Sequence, residues 1–326
     1  MSKEIRLKKG LNINLLGEAE KVYASVKSTD NYVVKPTDFH GLTPKLAVKV
    51  GDRVKAGTTL FFDKYNDKVN FSSPVSGEVA AIVRGAKRKI LEVVIKADAE
   101  IAYEDFAIAT SDSLSREQII DSMLMAGVWP FVRQKPYDII ANPIDMPKSI
   151  FISAFNTAPL TIDNDFALYG MDELFQKGLD YIVKLTSGKT HLNIDGNTNP
   201  SKVFTEAKGV EINKISGAHP AGNVGVQMHH IDPINKGEVV WYLESQDVIA
   251  IARLFTEGKY DVSRIIALGG AQVAKPRYYR TISGASIANL LVDNLKEGDN
   301  RVISGDILSG QQIDENGTLG FYHTTV

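Results

Sequence analysis

The feature that most limits what this chain can fold into is an alternation of strand-like and helix-like segments from about residue 150 to 268. A strand-like stretch at 150–155 precedes a helix-like one carrying Leu174, Phe175, Leu179, Ile182 and Val183, closed by Gly188. Strand-like 192–194 leads to a short helical piece at 203–207 and a strand at 210–215. Strand-like 239–243 then feeds a helix over 248–255 that Gly258 ends, and 265–268 is a further strand. Helices between successive strands let the strands run parallel, so this region is expected to be an α/β layer on a largely parallel sheet.

The flanking regions read differently. Between residues 30 and 96, short apolar segments at 46–50, 59–62, 79–83 and 91–95 are separated by turns at Gly51-Asp52, Pro74 and Gly77, which is a β-rich pattern. A helix follows: Ser115 and Gln118 have capping-box spacing, Leu114 and Ile119 fit a hydrophobic staple, and Gly127 with Pro130 stops it. From about 262 the pattern is β-rich again. Residues 216–237 carry little regular signal and three of the six histidines, so they read as a functional loop.

Composition narrows function more than fold. The 326 residues include no cysteine, which removes disulfides, thiolate-held iron–sulfur clusters and thiolate zinc sites. A net charge of −2 gives no sign of a nucleic-acid partner. No signal-peptide core is present, and no apolar run approaches the roughly 20 residues of a membrane helix. The chain is therefore expected to be soluble, with partner subunits supplying any membrane contact.

Two resemblances sharpen this reading. The series Val48-x-Val50-Gly51-Asp52-x-Val54-x-x-Gly57, then Ser73-Pro74-Val75-Ser76-Gly77-x-Val79, resembles biotinyl and lipoyl carrier domains. At the carrier spacing the hairpin tip falls at Asn66-Asp67, with Lys64 and Lys68 off the tip, so no covalent cofactor is expected, the rival being that a two-residue bulge restores a lysine to the apex. The second resemblance spans the chain. It rests on His40-Gly41-Leu42, Arg84-Gly85-Ala86-Lys87-Arg88, Gly127-Val128-Trp129-Pro130-Phe131, Ser216-Gly217-Ala218-His219-Pro220-Ala221-Gly222, His229-His230-x-Asp232-Pro233, Gln246-Asp247-Val248 and Ala267-Leu268-Gly269-Gly270. In this order they resemble the NqrA family, one of the six components of the bacterial sodium-translocating NADH:quinone oxidoreductase (Na+-NQR). One departure is Asn156, where the family pattern has an aspartate.

The family resemblance implies an α/β multidomain fold: a barrel-sandwich domain at 1–100, a Rossmann-like α/β domain at 101–260 and an SLBB β-grasp domain at 261–326. It implies further sequence beyond Val326. It also implies a peripheral place on the cytoplasmic face of the inner membrane, with the other subunits of the complex and ubiquinone or menaquinone as partners. Catalysis, as an NADH:ubiquinone reductase of the translocase class, would belong to the assembled complex, and no catalytic residue is expected in this chain.

Candidate sites follow from side-chain chemistry. Relatives that bind flavin place a glycine cluster after a helix, whereas this chain has Gly127 followed by bulky Trp129, Pro130 and Phe131, so no FMN is expected. Gly217, Gly222 and Gly225 do not have dinucleotide spacing. Trp129, Phe131, Arg133, Gln134 and Tyr137 supply the apolar surface and donors of a quinone contact, the alternative being that the aromatics are core. His219, His229, His230 and Asp232 are expected to serve as loop or interface residues and not to bind metal.

Overall fold

The computed structural model describes residues 3–326. The chain divides into two compact units that interleave along the sequence. Among the described residues, unit 1 takes those up to 13, 106–158 and 163–258, and unit 2 comprises 14–105, 159–162 and 259–326.

Unit 1 is built on seven strands: β1 (Glu4–Arg6), β2 (Arg133–Lys135), β3 (Ile139–Ile140), β4 (Ser149–Ser153), β5 (Lys189–Asp195), β6 (Glu211–Ser216) and β7 (Val240–Glu244). Their order across the sheet is β1-β6-β5-β4-β7-β2-β3. The first five in that order pair in parallel, and the β2–β3 hairpin adds an antiparallel edge. From β4 the chain steps outward to β5 and β6, then returns to place β7 on the other side of β4. That reversal creates a switch point between β4 and β7.

Four helices of eight or more residues serve this sheet: α1 (Arg116–Ala126), α2 (Asp172–Ile182), α3 (Val224–Ile231) and α4 (Ser245–Glu257). The capping box read from sequence is present: the Ser115 N–H donates to Gln118 Oε1 at 2.8 Å, and the Gln118 N–H donates to Ser115 Oγ at 3.3 Å. Gly258 ends α4 in the left-handed region at φ 65°, where a side chain would be strained. Helix α3 corrects the expectation of an irregular loop over 216–237. Val224, Met228 and Ile231 recur at helical spacing and pack on Phe151, Ile215 and Tyr242 of the sheet. Gly225 and the two histidines, poor helix formers, hid that stripe.

Unit 2 contains a four-stranded sheet of Asn31–Val34, Ile90–Ala97, Gly77–Arg84 and Arg53–Val54, and a three-stranded one of Pro44–Leu46, Thr59–Asp63 and Asn66–Ser72. The hairpin between the last two corrects another expectation. Asp63 pairs with Asn66, so the tip is Lys64-Tyr65 and not Asn66-Asp67. A register irregularity between Phe62 and Asp63 shifts the apex, as a bulge does. The later part of unit 2 pairs Ser263–Leu268 with Arg277–Ile282, which also takes Glu20–Ala24, and a hairpin joins Val302–Ser304 to Gln311–Ile313. Ile266, Leu268, Val273, Leu291 and Val302 form its core with Tyr279 and Ile287.

Candidate functional site at the strand ends

In open parallel sheets, ligands bind outside the carboxyl ends of the strands at the switch point. Here that position is set by Ser153 and Glu244, which pair in register at the ends of β4 and β7. Helix α4 begins immediately after Glu244, so its N-terminal amides face the crevice. One of those amides, the Asp247 N–H, is already used. The Glu244 carboxylate caps the helix by accepting the Asp247 N–H, and Glu244 N donates to Asp247 Oδ2 at 3.0 Å. Two carboxylates thus stand where a phosphate would need positive potential. Desolvation raises the Glu244 carboxyl above its ordinary range, opposed by Arg133, whose guanidinium lies 3.1 Å away.

Around Arg133 a charged cluster closes the neighbouring strand. Its guanidinium lies 4.3 Å from the centroid of the Tyr242 ring. The Tyr242 hydroxyl donates to Asp138, which also pairs with Lys135 at 3.1 Å. Burial pushes the Tyr242 phenol far upward, so it stays protonated as a donor. Burial also works to raise Asp138, but the Tyr242 bond and the Lys135 charge outweigh it and hold that carboxyl low.

The five residues proposed for a quinone contact are spread across this region. Trp129 and Phe131 are fully buried, and Trp129 Nε1 donates to the Ala141 carbonyl at 2.8 Å while its ring meets Trp241 edge-on at 5.3 Å. Gln134 is buried and accepts from Asn142 N at 3.0 Å. Arg133 belongs to the charged cluster, and Tyr137 stands exposed at the hairpin turn. Three of the five are therefore interior.

Deeper in the sheet lies a chain of buried polar side chains. Gln227 of α3 donates to Ser153 Oγ at 3.1 Å and accepts from Asn193 Nδ2 at 2.8 Å. Asn213 Nδ2 reaches Asn193 Oδ1 at 3.0 Å, and His191 Nδ1 is 3.3 Å from Asn213. All five residues are almost fully buried. Burial lowers the His191 pKa, with Glu211 and Asp232 opposing, so the imidazole is held neutral. Sequence reading missed this chain, although the alternation of His191, Asn193 and Asp195 marks one polar face of β5.

The residues expected at a loop surface part company. His219 Nδ1 lies 3.1 Å from Thr157 Oγ1, which accepts the Gly222 N–H at 2.9 Å, beside the crevice. A Cβ on Gly222 would come within 2.5 Å of Thr157 N, so the 217–223 segment can approach the β4 end only with glycine there. Asn156 uses its amide oxygen to accept Ala158 N, a role an aspartate fills equally. His229 and His230 are exposed on α3, their rings edge-to-face at 5.1 Å. Asp232 sits at the opposite end of β4, paired with Lys148 at 2.8 Å and with Ser149 Oγ at 2.8 Å. Among the described residues no group of three His, Cys, Asp or Glu side chains could hold a metal ion.

Unit 2 offers a different kind of site. A cavity of about 220 Å³ is walled by Leu268, Val273, Leu291, Leu295, Val302 and Ile303, with Gln272 and Arg301 exposed at its rim.

Such a molecule belongs to the class of multidomain α/β proteins built around a largely parallel sheet. Family models give the components: an NqrA N-terminal barrel-sandwich hybrid domain over 5–98, an NqrA second alpha/beta domain over 114–260 and an NQRA C-terminal domain of SLBB type over 265–315. The chain is 38% identical over 325 residues to the NqrA component of the Na(+)-translocating NADH-quinone reductase of Photorhabdus laumondii, covering 99% of this chain and 72% of that protein. The NqrA proteins of Yersinia pseudotuberculosis, at 38% identity, and of a Marinomonas species, at 36%, are likewise covered to 72%. The chain belongs to the NqrA family of the Na(+)-translocating NADH-quinone reductases. No helix among the described residues is long and apolar enough to cross a membrane.

Proposed function

We propose that this chain serves as the NqrA component of a sodium-translocating NADH:quinone reductase, peripheral on the cytoplasmic face of the inner membrane. It acts there as a scaffold that contacts the other subunits and the ubiquinone or menaquinone substrate. The identity of 38% across nearly the whole chain carries this reading. We further read the α/β domain as Rossmann-like, because the order β6-β5-β4-β7 reverses at β4 as that fold does. It is a Rossmann-like domain without a nucleotide or flavin: Glu244 and Asp247 fill the helix N-terminus, and Trp129 and Phe131 fill the place of a glycine cradle. Hydride chemistry belongs to a different component of the complex. The test is affinity capture of the tagged chain from native membranes. Co-purification of the other reductase subunits, with NADH-driven quinone reduction in the captured material, is expected. Capture of the chain alone from membranes that hold an active complex rejects the assignment.

A second reading has one observation in its favour. Lys64 occupies the apex of the barrel-sandwich hairpin, directly after Asp63, where carrier domains present a modified lysine. The scaffold reading expects the unmodified mass when the chain is isolated from its native host. An added lipoyl or biotinyl mass on Lys64 would replace it with a carrier role.

A further inference from the structure

We propose that a basic hairpin tip of unit 2, over 84–89, docks on the anionic headgroups of a lipid surface. The proposal rests on the reading that the chain is peripheral to a membrane, and it gives the chain a lipid contact of its own besides any that partner subunits supply. The hairpin joins Gly77–Arg84 to Ile90–Ala97, and Arg84 and Ile90 are its last pair. Beyond them runs Gly85-Ala86-Lys87-Arg88-Lys89, so Arg84, Lys87, Arg88 and Lys89 put four cations within six residues. All four are exposed. Among the described residues no carboxylate pairs with any of them. The nearest acid along the hairpin, Glu92, stands opposite Val83.

The turn carries its charge at a conformational cost. The Lys89 N–H donates to the Ala86 carbonyl at 3.2 Å, closing a tight turn whose two central residues, Lys87 and Arg88, lie at φ 54° and 60°. Hairpins with positive φ at both central positions ordinarily take Asn-Gly there, because a Cβ is strained in that region. Here cations hold both places, and Arg84 Nη1 donates to the Arg88 carbonyl at 3.1 Å to brace the apex. The charge is also lopsided. The chain has 37 basic and 39 acidic side chains, so setting the four at the tip aside leaves 33 against 39. An anionic surface therefore attracts the tip and repels the net charge of the remainder. A free phosphate is held by convergent, sheltered donors, which these exposed side chains are not. A nucleic acid calls for a basic domain or aromatic platforms, whereas the remainder is acidic and the tip has no aromatic residue. A protein interface is built on an apolar core, and Ala86 is the largest apolar side chain in 84–89. A lipid surface needs no pocket, only clustered charge, which contributes about fivefold in affinity per Lys or Arg.

The experiment measures co-sedimentation of the purified full chain with vesicles of phosphatidylethanolamine and phosphatidylglycerol, with phosphatidylcholine vesicles as the neutral control. Binding to the anionic vesicles alone is expected. It should fall steeply as salt shortens the screening length from about 10 Å at 0.1 M to about 3 Å at 1 M. Lys87→Asn with Arg88→Gly gives the turn its preferred residues while removing two charges. It should weaken binding about 25-fold with an unchanged or higher unfolding midpoint. Lys8→Gln with Lys9→Gln, at two exposed cations of unit 1, should leave binding nearly unchanged. Equal binding to phosphatidylcholine, or anionic binding that survives the Asn-Gly variant and is lost in the Lys8 and Lys9 variant, overturns the proposal. So does release by inorganic phosphate beyond that by chloride at the same ionic strength, which would make the tip a phosphate site. If vesicles are not bound and the Asn-Gly variant no longer co-purifies with the other reductase subunits, the tip docks an acidic protein surface and the proposal fails. If vesicles are not bound and co-purification is intact, the lipid contact is wrong and membership of the complex stands. Failure of the parent chain to co-purify removes that membership and not the lipid contact.

Discussion

At the switch point of unit 1 the strand ends are covered by the unit's own polar groups. Glu244 and Asp247 cap α4, Arg133 neutralises Glu244, and Gln227 ties Ser153 to Asn193. In unit 2 the space beside Leu268 and Val302 is lined by apolar side chains and stays open. Topology alone points to the first place as the ligand site, since that is where parallel sheets bind. Side-chain chemistry distinguishes the second, which is walled mainly by apolar residues. A crevice whose carboxylates are paired internally offers an incoming polar ligand little beyond the buried Ser245 hydroxyl, whereas an open apolar cavity gains from being filled.

The comparison can be broken most forcefully at Trp129. If it is core, as its complete burial and its bond to Ala141 indicate, Trp129→Ala should cost about 3–5 kcal/mol in urea unfolding, with Trp129→Phe costing less. A loss under about 1 kcal/mol on truncation would return Trp129 to the contact residues. Next comes the polar chain. Gln227→Ala removes the acceptor of the buried Asn193 amide, which costs about 1–3 kcal/mol, while Ser153 keeps its bond to the Phe155 carbonyl. An unchanged unfolding midpoint would show that water replaces Gln227 and that the crevice is more open than its hydrogen bonds indicate.

The same chain gives a pH dependence. Burial depresses the His191 pKa in the folded state, and Lys189 and Lys3 act in the same direction against Glu211 and Asp232. An ordinary imidazole in the unfolded chain titrates near about 6.5 and takes up the proton first. The His191 contribution is therefore complete above that value and is lost as pH falls through it towards the depressed folded value. His191→Phe, which keeps an aromatic ring against Phe151, should flatten stability across that window. A slope that persists in the variant would place the titration elsewhere. The smallest effect is expected at Asp232, whose pair with Lys148 is part-exposed. Replacing it with Asn should cost no more than about 1 kcal/mol and leave metal content unchanged.

Much of this was legible from residues alone, for physical reasons that differ by element. The capping box at Ser115 and the stop at Gly258 are local chemistry and appear where the spacing put them. The parallel strands read as apolar runs because both faces are covered. Helix α3 was illegible because its stripe is interrupted by Gly225 and is stabilised only through packing on Phe151 and Tyr242. The hairpin tip was misplaced because one irregularity at Phe62 shifts register without a clear mark in composition. The polar chain joins residues from β4, β5, β6 and α3, which no local pattern connects.

Our proposal is that the parallel sheet of unit 1 fills its switch point with its own side chains and holds no flavin there. The most direct test is the visible absorption spectrum of the chain purified after expression with excess riboflavin, read alongside its NADH oxidation rate. The account predicts no flavin band and no turnover in the absence of the other subunits. Stoichiometric flavin, or steady NADH oxidation by the chain alone, would contradict it.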